Sequence, residues 1–264
     1  MMIVGYLLSV LIGVSLGLIG GGGSILTVPV LVYVFGVDAV LATGYSLFIV
    51  GATSAVGSVQ YFKSGLINLR TAIIFGIPSI VAVYLTRSLL VPLIPDSLIT
   101  VGGLEITKAI FLMILFAVLM IAASYSMIKK GKSETKDQGV QVFNYPLIFL
   151  EGSVVGVLTG LVGAGGGFLI IPALVVLSKL PMKEAVGTSL LIIAAKSLFG
   201  FTGELGHSNL DWTLLLSVTG AAIIGIFLGS NLSKKIDGAK LKPAFGWFVL
   251  VMGIYIIFKE TILK

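Results

Sequence analysis

Apolar residues in this chain fall into long runs separated by short polar breaks. Ala109 to Ala123, Val154 to Val162 and Leu214 to Ser233 contain no charged residue. Runs near about 20 residues match the hydrocarbon thickness of a bilayer. The pattern predicts ten apolar segments, at roughly 3–19, 24–35, 40–62, 70–93, 104–128, 146–162, 168–178, 185–205, 212–233 and 243–260. They are too long, or too rich in Gly and Leu, for the alternating strands of a membrane barrel, so the fold expected is an all-α polytopic membrane protein. One stretch reads as a solvated linker, Lys129 to Asn144 (KKGKSETKDQGVQVFN). It divides the chain into a first membrane repeat (1–128), a cytoplasmic linker (129–144) and a second membrane repeat (145–264).

The two halves are copies. At an offset of 143, Gly13-Val14-x-x-Gly17-Leu18-x-Gly20-x-Gly22-Gly23 falls on Gly156-Val157-x-x-Gly160-Leu161-x-Gly163-x-Gly165-Gly166. Pro29 falls on Pro172, Ala42-x-Gly44-x-Ser46-Leu47 on Ala185-x-Gly187-x-Ser189-Leu190, and Ala52-x-Ser54-x-x-Gly57 on Ala195-x-Ser197-x-x-Gly200. Internal self-similarity at a fixed offset marks a duplicated structural unit. Each unit is expected to hold a Gly-interrupted helix pair followed by three full transmembrane helices.

The first pair in each half is odd in length. Residues 3–35 would make about 50 Å of helix, too long for one crossing and too short for two. A hairpin whose tip stops inside the membrane resolves the mismatch. The tips are Gly20, Gly21, Gly22 and Gly23 in the first half, and Gly163, Ala164, Gly165, Gly166 and Gly167 in the second. Irregular backbone at membrane depth is tolerated where it lines a buried or watery cavity. Helices that restart near Ser24 and Phe168 would aim free N–H groups and positive dipole ends at that cavity, which is a ready anion site. Gly13-xxx-Gly17 and Gly156-xxx-Gly160 instead fit close helix packing. The alternative for the tips is packing as well, although runs of three and four glycines exceed what packing requires.

Composition and charge refine this picture. Apolar residues make up 57% of the chain and charged residues only 11%, against about 25% charged in a soluble domain. The net charge of +6 is no nucleic-acid signature, because the basic residues sit in interhelical loops. With the linker in the cytoplasm, the cytoplasmic loops are Lys63–Arg70, Lys179–Lys183 and Lys234–Lys242. The external loops then carry Asp38, Asp96, His207 and Asp211, in agreement with the positive-inside rule; Lys259 and Lys264 fall outside against it. An odd number of crossings per half makes the repeats inverted, a transporter signature in which rocking one half against the other gives alternating access. The chain contains no cysteine and one histidine. No nucleophile–base pair, carboxylate dyad or metal cluster is readable, so no enzyme activity, cofactor or metal site is expected.

Polar groups at membrane depth supply the remaining candidates. Lys196 interrupts the apolar run Leu190 to Phe201, and a charge there is functional by default. Its counterpart is Thr53, so the cation breaks the repeat symmetry. A structural pairing, with Glu204 or a carbonyl, stands as the other reading. Tyr45, Ser46, Thr188 and Ser189 lie one turn into the helix after each broken pair, where hydroxyls can bond an oxyanion or their own backbone. Arg87 is expected to snorkel to an interface.

The glycine tips, Pro29 and Pro172, and the elements GLVGAGGGFLIIPALVVL, AVGTSLLIIAAKSLFGFTGE and HSNLDW resemble the sulfite exporter TauE/SafE family. The resemblance spans both halves. It implies a multi-pass permease of a prokaryotic inner membrane moving sulfite, thiosulfate or organosulfonate-type anions, commonly outward. The partners expected are a small anionic substrate and the lipid bilayer, with a homodimer as an open alternative. The competing function is a passive anion channel or a non-transporting scaffold.

Overall fold

Polar breaks set the helix boundaries through their caps. Asp38 Oδ1 accepts from the N–H groups of Val40 and Leu41, at 2.8 and 3.2 Å, satisfying two orphan donors of the helix that follows. Asn68 caps the next helix by accepting from Thr71 N at 3.0 Å, and Asp211 accepts from Leu214 N at 3.0 Å. At the end of the Asp38-capped helix, Leu66 N donates to Tyr61 O and Gly65 N to Phe62 O, both at 3.0 Å. Gly65 is left-handed (φ 68°), so this end is a Schellman motif.

A computed structural model describes residues 2–101, 104–128, 145–162, 167–176, 180–203, 210–233, 236 and 238–262. The first half holds α1 (Met2–Ile19), a 3-10 turn (Gly21–Gly23), α2 (Ser24–Tyr33), α3 (Ala39–Lys63) and α4 (Leu69–Leu85). After α4 the chain passes through a π-turn (Thr86–Leu90) and a last turn, α5 (Val91–Leu93), into an antiparallel hairpin of β1 (Ser97–Val101) and β2 (Leu104–Thr107). Then α6 (Lys108–Ile128) closes the half. The second half holds α7 (Tyr145–Val162), α8 (Gly167–Val176), α9 (Met182–Thr202), α10 (Trp212–Ser233) and α11 (Gly238–Ile262). The expected segments are matched within a few residues, except that the hairpin takes the start of the fifth. The linker 129–144 lies outside the described residues.

Among the described residues, five helical spans are long and apolar enough to cross a membrane: Ala39–Lys63, Leu69–Leu93, Lys108–Tyr125, Met182–Thr202 and Trp212–Ser233. Burial along them is inside-out relative to a soluble protein. On α4, Ile73, Ile77, Val81 and Leu85 form an exposed stripe at helical spacing, while Thr71, Ser79 and Val83 are buried. On this helix small and hydroxyl residues join Phe75 and Val83 in the interhelical contacts, while the outward stripe is wholly apolar and suits lipid.

The packing pairs exchange when the halves are exchanged. The main pairs are α1 with α10, α4 with α7, α3 with α9, and α6 with α11. The first helix of each half thus packs on the fourth helix of the other. The correspondence extends to atoms: a Cβ on Gly13 would strike Ala222 O, and one on Gly156 would strike Ser79 O. Ala222 and Ser79 are themselves 143 residues apart in sequence. Between α3 and α9, Gly51 faces Leu198, Gly57 faces Leu190 and Gly200 faces Leu47, so these two equivalent helices run antiparallel.

The loops sort by charge onto the two ends. Thr188 Oγ1 accepts from Asn68 N at 2.9 Å, and Tyr61 Oη lies 3.0 Å from Ser233 Oγ. These bonds gather the loops bearing Lys63, Arg70 and Lys183 at one end. At the opposite end, Asp211 N donates to Tyr45 Oη, Tyr33 donates to Glu260 Oε1 at 3.0 Å, and Lys259 Nζ stands 3.6 Å over the Tyr33 ring. Lys259, anomalous by loop charge, is thus engaged by an aromatic face.

Candidate functional site

The first glycine tip turns because Gly20 is left-handed, φ 75°, a conformation glycine adopts without steric penalty. Helix α1 stops at Ile19, and the chain restarts in α2 after a single 3-10 turn. Ser24 Oγ donates back to Gly21 O at 2.6 Å, which closes the tip on itself. Gly22 and Gly23 lie in that turn, and a Cβ on Gly23 would run into Ile12 O on α1.

This tip meets the start of α8. The backbones of Gly21 and Gly167 are in direct contact, with no room for a Cβ on either. Ile193 of α9 flanks Gly167, and a side chain at Gly20 would run into Ser189 Oγ and Val186. Ser189 Oγ donates to Val186 O at 2.8 Å. The structure therefore brings together Gly20, Gly21, Gly22, Gly23, Ser24, Gly167 and Ser189. Gly163, Ala164, Gly165 and Gly166 lie outside the described residues.

Lys196 sits on α9 one turn beyond Ile193. It is fully buried, and its Nζ donates to Thr159 Oγ1 of α7 at 3.1 Å. Thr159 in turn donates to Gly156 O at 3.2 Å. Among the described residues no carboxylate stands beside this cation, and its partner is a neutral hydroxyl. Glu204, the pairing raised by sequence, lies outside the described residues. Around the middle of the α3–α9 pair, Ser46, Thr53, Ser54 and Ser197 are fully buried, and their hydroxyls lack a hydrogen-bond partner. Buried polar groups are normally paired, so these four are unspent donors within the α3–α9 pair.

Tyr45 and Thr188 stand apart from the tips. Tyr45 is committed to Asp211 at the acidic end, and Thr188 to Asn68 at the basic end. Arg87 corrects the expectation of snorkelling: it is 1% exposed and donates from Nη1 to Thr43 Oγ1 at 2.9 Å. Its place near the end of an apolar segment makes snorkelling the natural reading of sequence. Only the packing of α3 against this turn reveals the buried partner.

A cleft of about 120 Å³ opens at the basic end. Gln60, Tyr61, Lys183, Val186, Ser230 and Ser233 are among its lining residues. Val186 also touches Gly20, so the cleft ends against the first tip. Among the described residues no group of three His, Cys, Asp or Glu is placed to hold a metal.

Apolar outer faces, buried hydroxyls and a glycine break packed against the start of α8 fit a polytopic membrane protein of the transporter class. The chain belongs to the sulfite exporter TauE/SafE family, which matches residues 6–256. A probable membrane transporter protein of Xylella fastidiosa is 31% identical over 95% of this chain and 92% of its own length. The probable membrane transporter protein YdhB of Bacillus subtilis is 26% identical over 94% of this chain and 97% of its own. A probable membrane transporter protein of Methanocaldococcus jannaschii is 33% identical over 42% of this chain and 43% of its own. No solved structure matches. By family and relatives the protein is a membrane transporter, not an enzyme.

Proposed function

We propose that the protein exports small anions such as sulfite, thiosulfate or organosulfonates across a prokaryotic cytoplasmic membrane, by alternating access around a central site at the two glycine breaks. The observation that carries this reading is Lys196, a fully buried cation bonded to one neutral hydroxyl beside the tips. A charge in that setting costs several kcal/mol unless an opposite charge joins it. An oxyanion supplies that charge and accepts from the nearby donors, while the start of α8 adds its positive dipole end. Ser197 adjoins that cation in the chain, and Thr53 is its repeat counterpart on α3. Antiparallel α3 and α9 support inverted repeats, and the cleft at the basic end supports an access route from the cytoplasm, the side that basic loops favour.

The test is uptake of labelled sulfite and of a small alkyl sulfonate into proteoliposomes, with binding measured in parallel by calorimetry. Saturable flux is expected. Lys196→Met should weaken binding about 10–100-fold, the loss of one hydrogen bond to a charged group worth about 1.5–3 kcal/mol, without changing the elution profile in detergent. Flux that grows linearly with the gradient would mean a channel. Unchanged affinity in Lys196→Met would remove this lysine from the site.

A further inference from the structure

The cleft at the basic end offers a ligand something different from the centre of the molecule. Its walls are the ends of α3 and α10, the start of α9, and Leu18 on α1. Most hydroxyl and amide donors along it are already spent. Gln60 Nε2 donates to Asn231 Oδ1 at 3.3 Å, and Tyr61 Oη to Gly17 O at 3.1 Å. Ser64 Oγ donates to Gln60 O and Ser233 Oγ to Ser230 O, both at 3.0 Å. Two side chains remain uncommitted. Ser230, 2% exposed, holds a hydroxyl with no partner. Lys183 is exposed, and among the described residues no acceptor meets its ammonium group. No Asp or Glu lines the cleft among the described residues, and the rest of its wall is aliphatic: Leu18, Leu66, Met182, Val186 and Ile236. Its volume of about 120 Å³ is several times the roughly 10–15 Å³ that one water needs.

A bare inorganic oxyanion is a poor occupant of such a space. It needs donors on most sides to replace its water, and an aliphatic wall supplies none. An anion with a short hydrocarbon tail fits better: the head meets Lys183 at the rim, and the tail leaves water against the aliphatic wall. Met182 adds an unbranched side chain that adapts to tails of different shape. We propose that this cleft is an anion-binding site in its own right, selective for organic sulfonates or carboxylates with a short apolar tail over inorganic anions. It is separate from the site at Lys196. Lys183 and Lys196 stand on one helix about 20 Å apart, at about 1.5 Å per residue, so a short-tailed anion cannot span both. Val186 lines the cleft and touches Gly20, which places the occupant against the first glycine tip.

The chain has no cysteine, so Ser64→Cys at the exposed edge of the cleft supplies a single thiol. In lipid nanodiscs it is labelled with a cationic methanethiosulfonate while butanesulfonate, methanesulfonate or butyltrimethylammonium is titrated in. Butanesulfonate should slow the labelling. Methanesulfonate should need at least about 10-fold more for equal protection, because each methylene lost from an apolar wall weakens binding by up to about 4-fold. Butyltrimethylammonium, with the same tail and the opposite charge, should not protect. Adding Lys183→Gln should raise the half-protecting concentration of butanesulfonate about 10-fold or more, and adding Lys196→Met should leave it unchanged. Equal potency of the two sulfonates, protection by the ammonium ion, or unchanged potency in Lys183→Gln would overturn the proposal. Loss of protection in Lys196→Met would assign the ligand to the centre and overturn it as well. Because labelling needs no substrate flux, a failure to transport sulfite would strike the transport reading and leave this result standing.

Discussion

At the scale of residues, the protein is decided by two buried cations and the hydroxyls that hold them. Lys196 donates to Thr159, and Arg87 to Thr43; each threonine donates onward to a carbonyl of its own helix. Thr159 orients Lys196 without neutralising it, so that charge stays available to a ligand. Thr159→Val removes that orientation and leaves the charge. The expected loss is about 2–10-fold in anion affinity, the worth of one ordinary hydrogen bond of about 0.5–1.5 kcal/mol, and smaller than the loss in Lys196→Met. Isothermal titration of both variants with sulfite checks the order; equal losses would mean that Thr159 is as essential as the charge. Lys196 is legible in sequence because nothing apolar surrounds a lysine by accident at membrane depth. Arg87 is not, because a long side chain near a segment end looks the same whether it reaches outward to headgroups or inward to Thr43.

At the scale of elements, the glycines whose spacing implies helix packing lie where that spacing puts them. Gly13 and Gly17 on α1, and Gly156 and Gly160 on α7, face carbonyls or side chains of α10 and α4, which is the packing role their spacing implies. Gly21 and Gly167 instead bring the first tip against the start of α8, and Gly20 lies against Val186 and Ser189 of α9. The duplicated geometry makes a matched prediction. Gly13→Ala and Gly156→Ala each place one methyl group against a backbone carbonyl of the partner helix. Overpacking of that kind costs about 1–3 kcal/mol, so both variants should unfold several degrees below the parent in a detergent melt. A drop in one and none in the other would mean that the two crossings are not built alike. The hairpin β1–β2 is the element that the apolar pattern hides. Its second strand, Leu104–Thr107, merges with the apolar run of α6, although Ser97-Leu98-Ile99-Thr100-Val101 followed by Gly102-Gly103 carries a hairpin signal.

At the scale of the whole molecule, the repeats are not two separate bodies. The helix pairs with the broadest packing each join one half to the other: α1 with α10, α4 with α7, α3 with α9, α6 with α11. A motion that rocked residues 1–128 against 145–264 would have to tear all four. The bodies that can move intact are mixed ones, α1 with α10 and α4 with α7, facing each other across the antiparallel α3–α9 pair. In that pair Gly51 packs closely on Leu198, and Lys196 sits on one of its helices. The alternating access proposed above then calls for a shift across α3–α9 rather than of half against half. The same interleaving makes a prediction about assembly. Neither half alone can bury the small-residue faces of its helices, which in the intact chain pack closely enough to reach each other's backbones. Fragments 1–128 and 129–264 expressed singly should therefore fail to accumulate in the membrane, while the two expressed together should assemble. Fluorescence-detected size exclusion of a tagged fragment, with and without its partner, measures this directly. A stable, monodisperse first half on its own would mean that the repeats fold as independent bodies, and rocking of half against half would again be open.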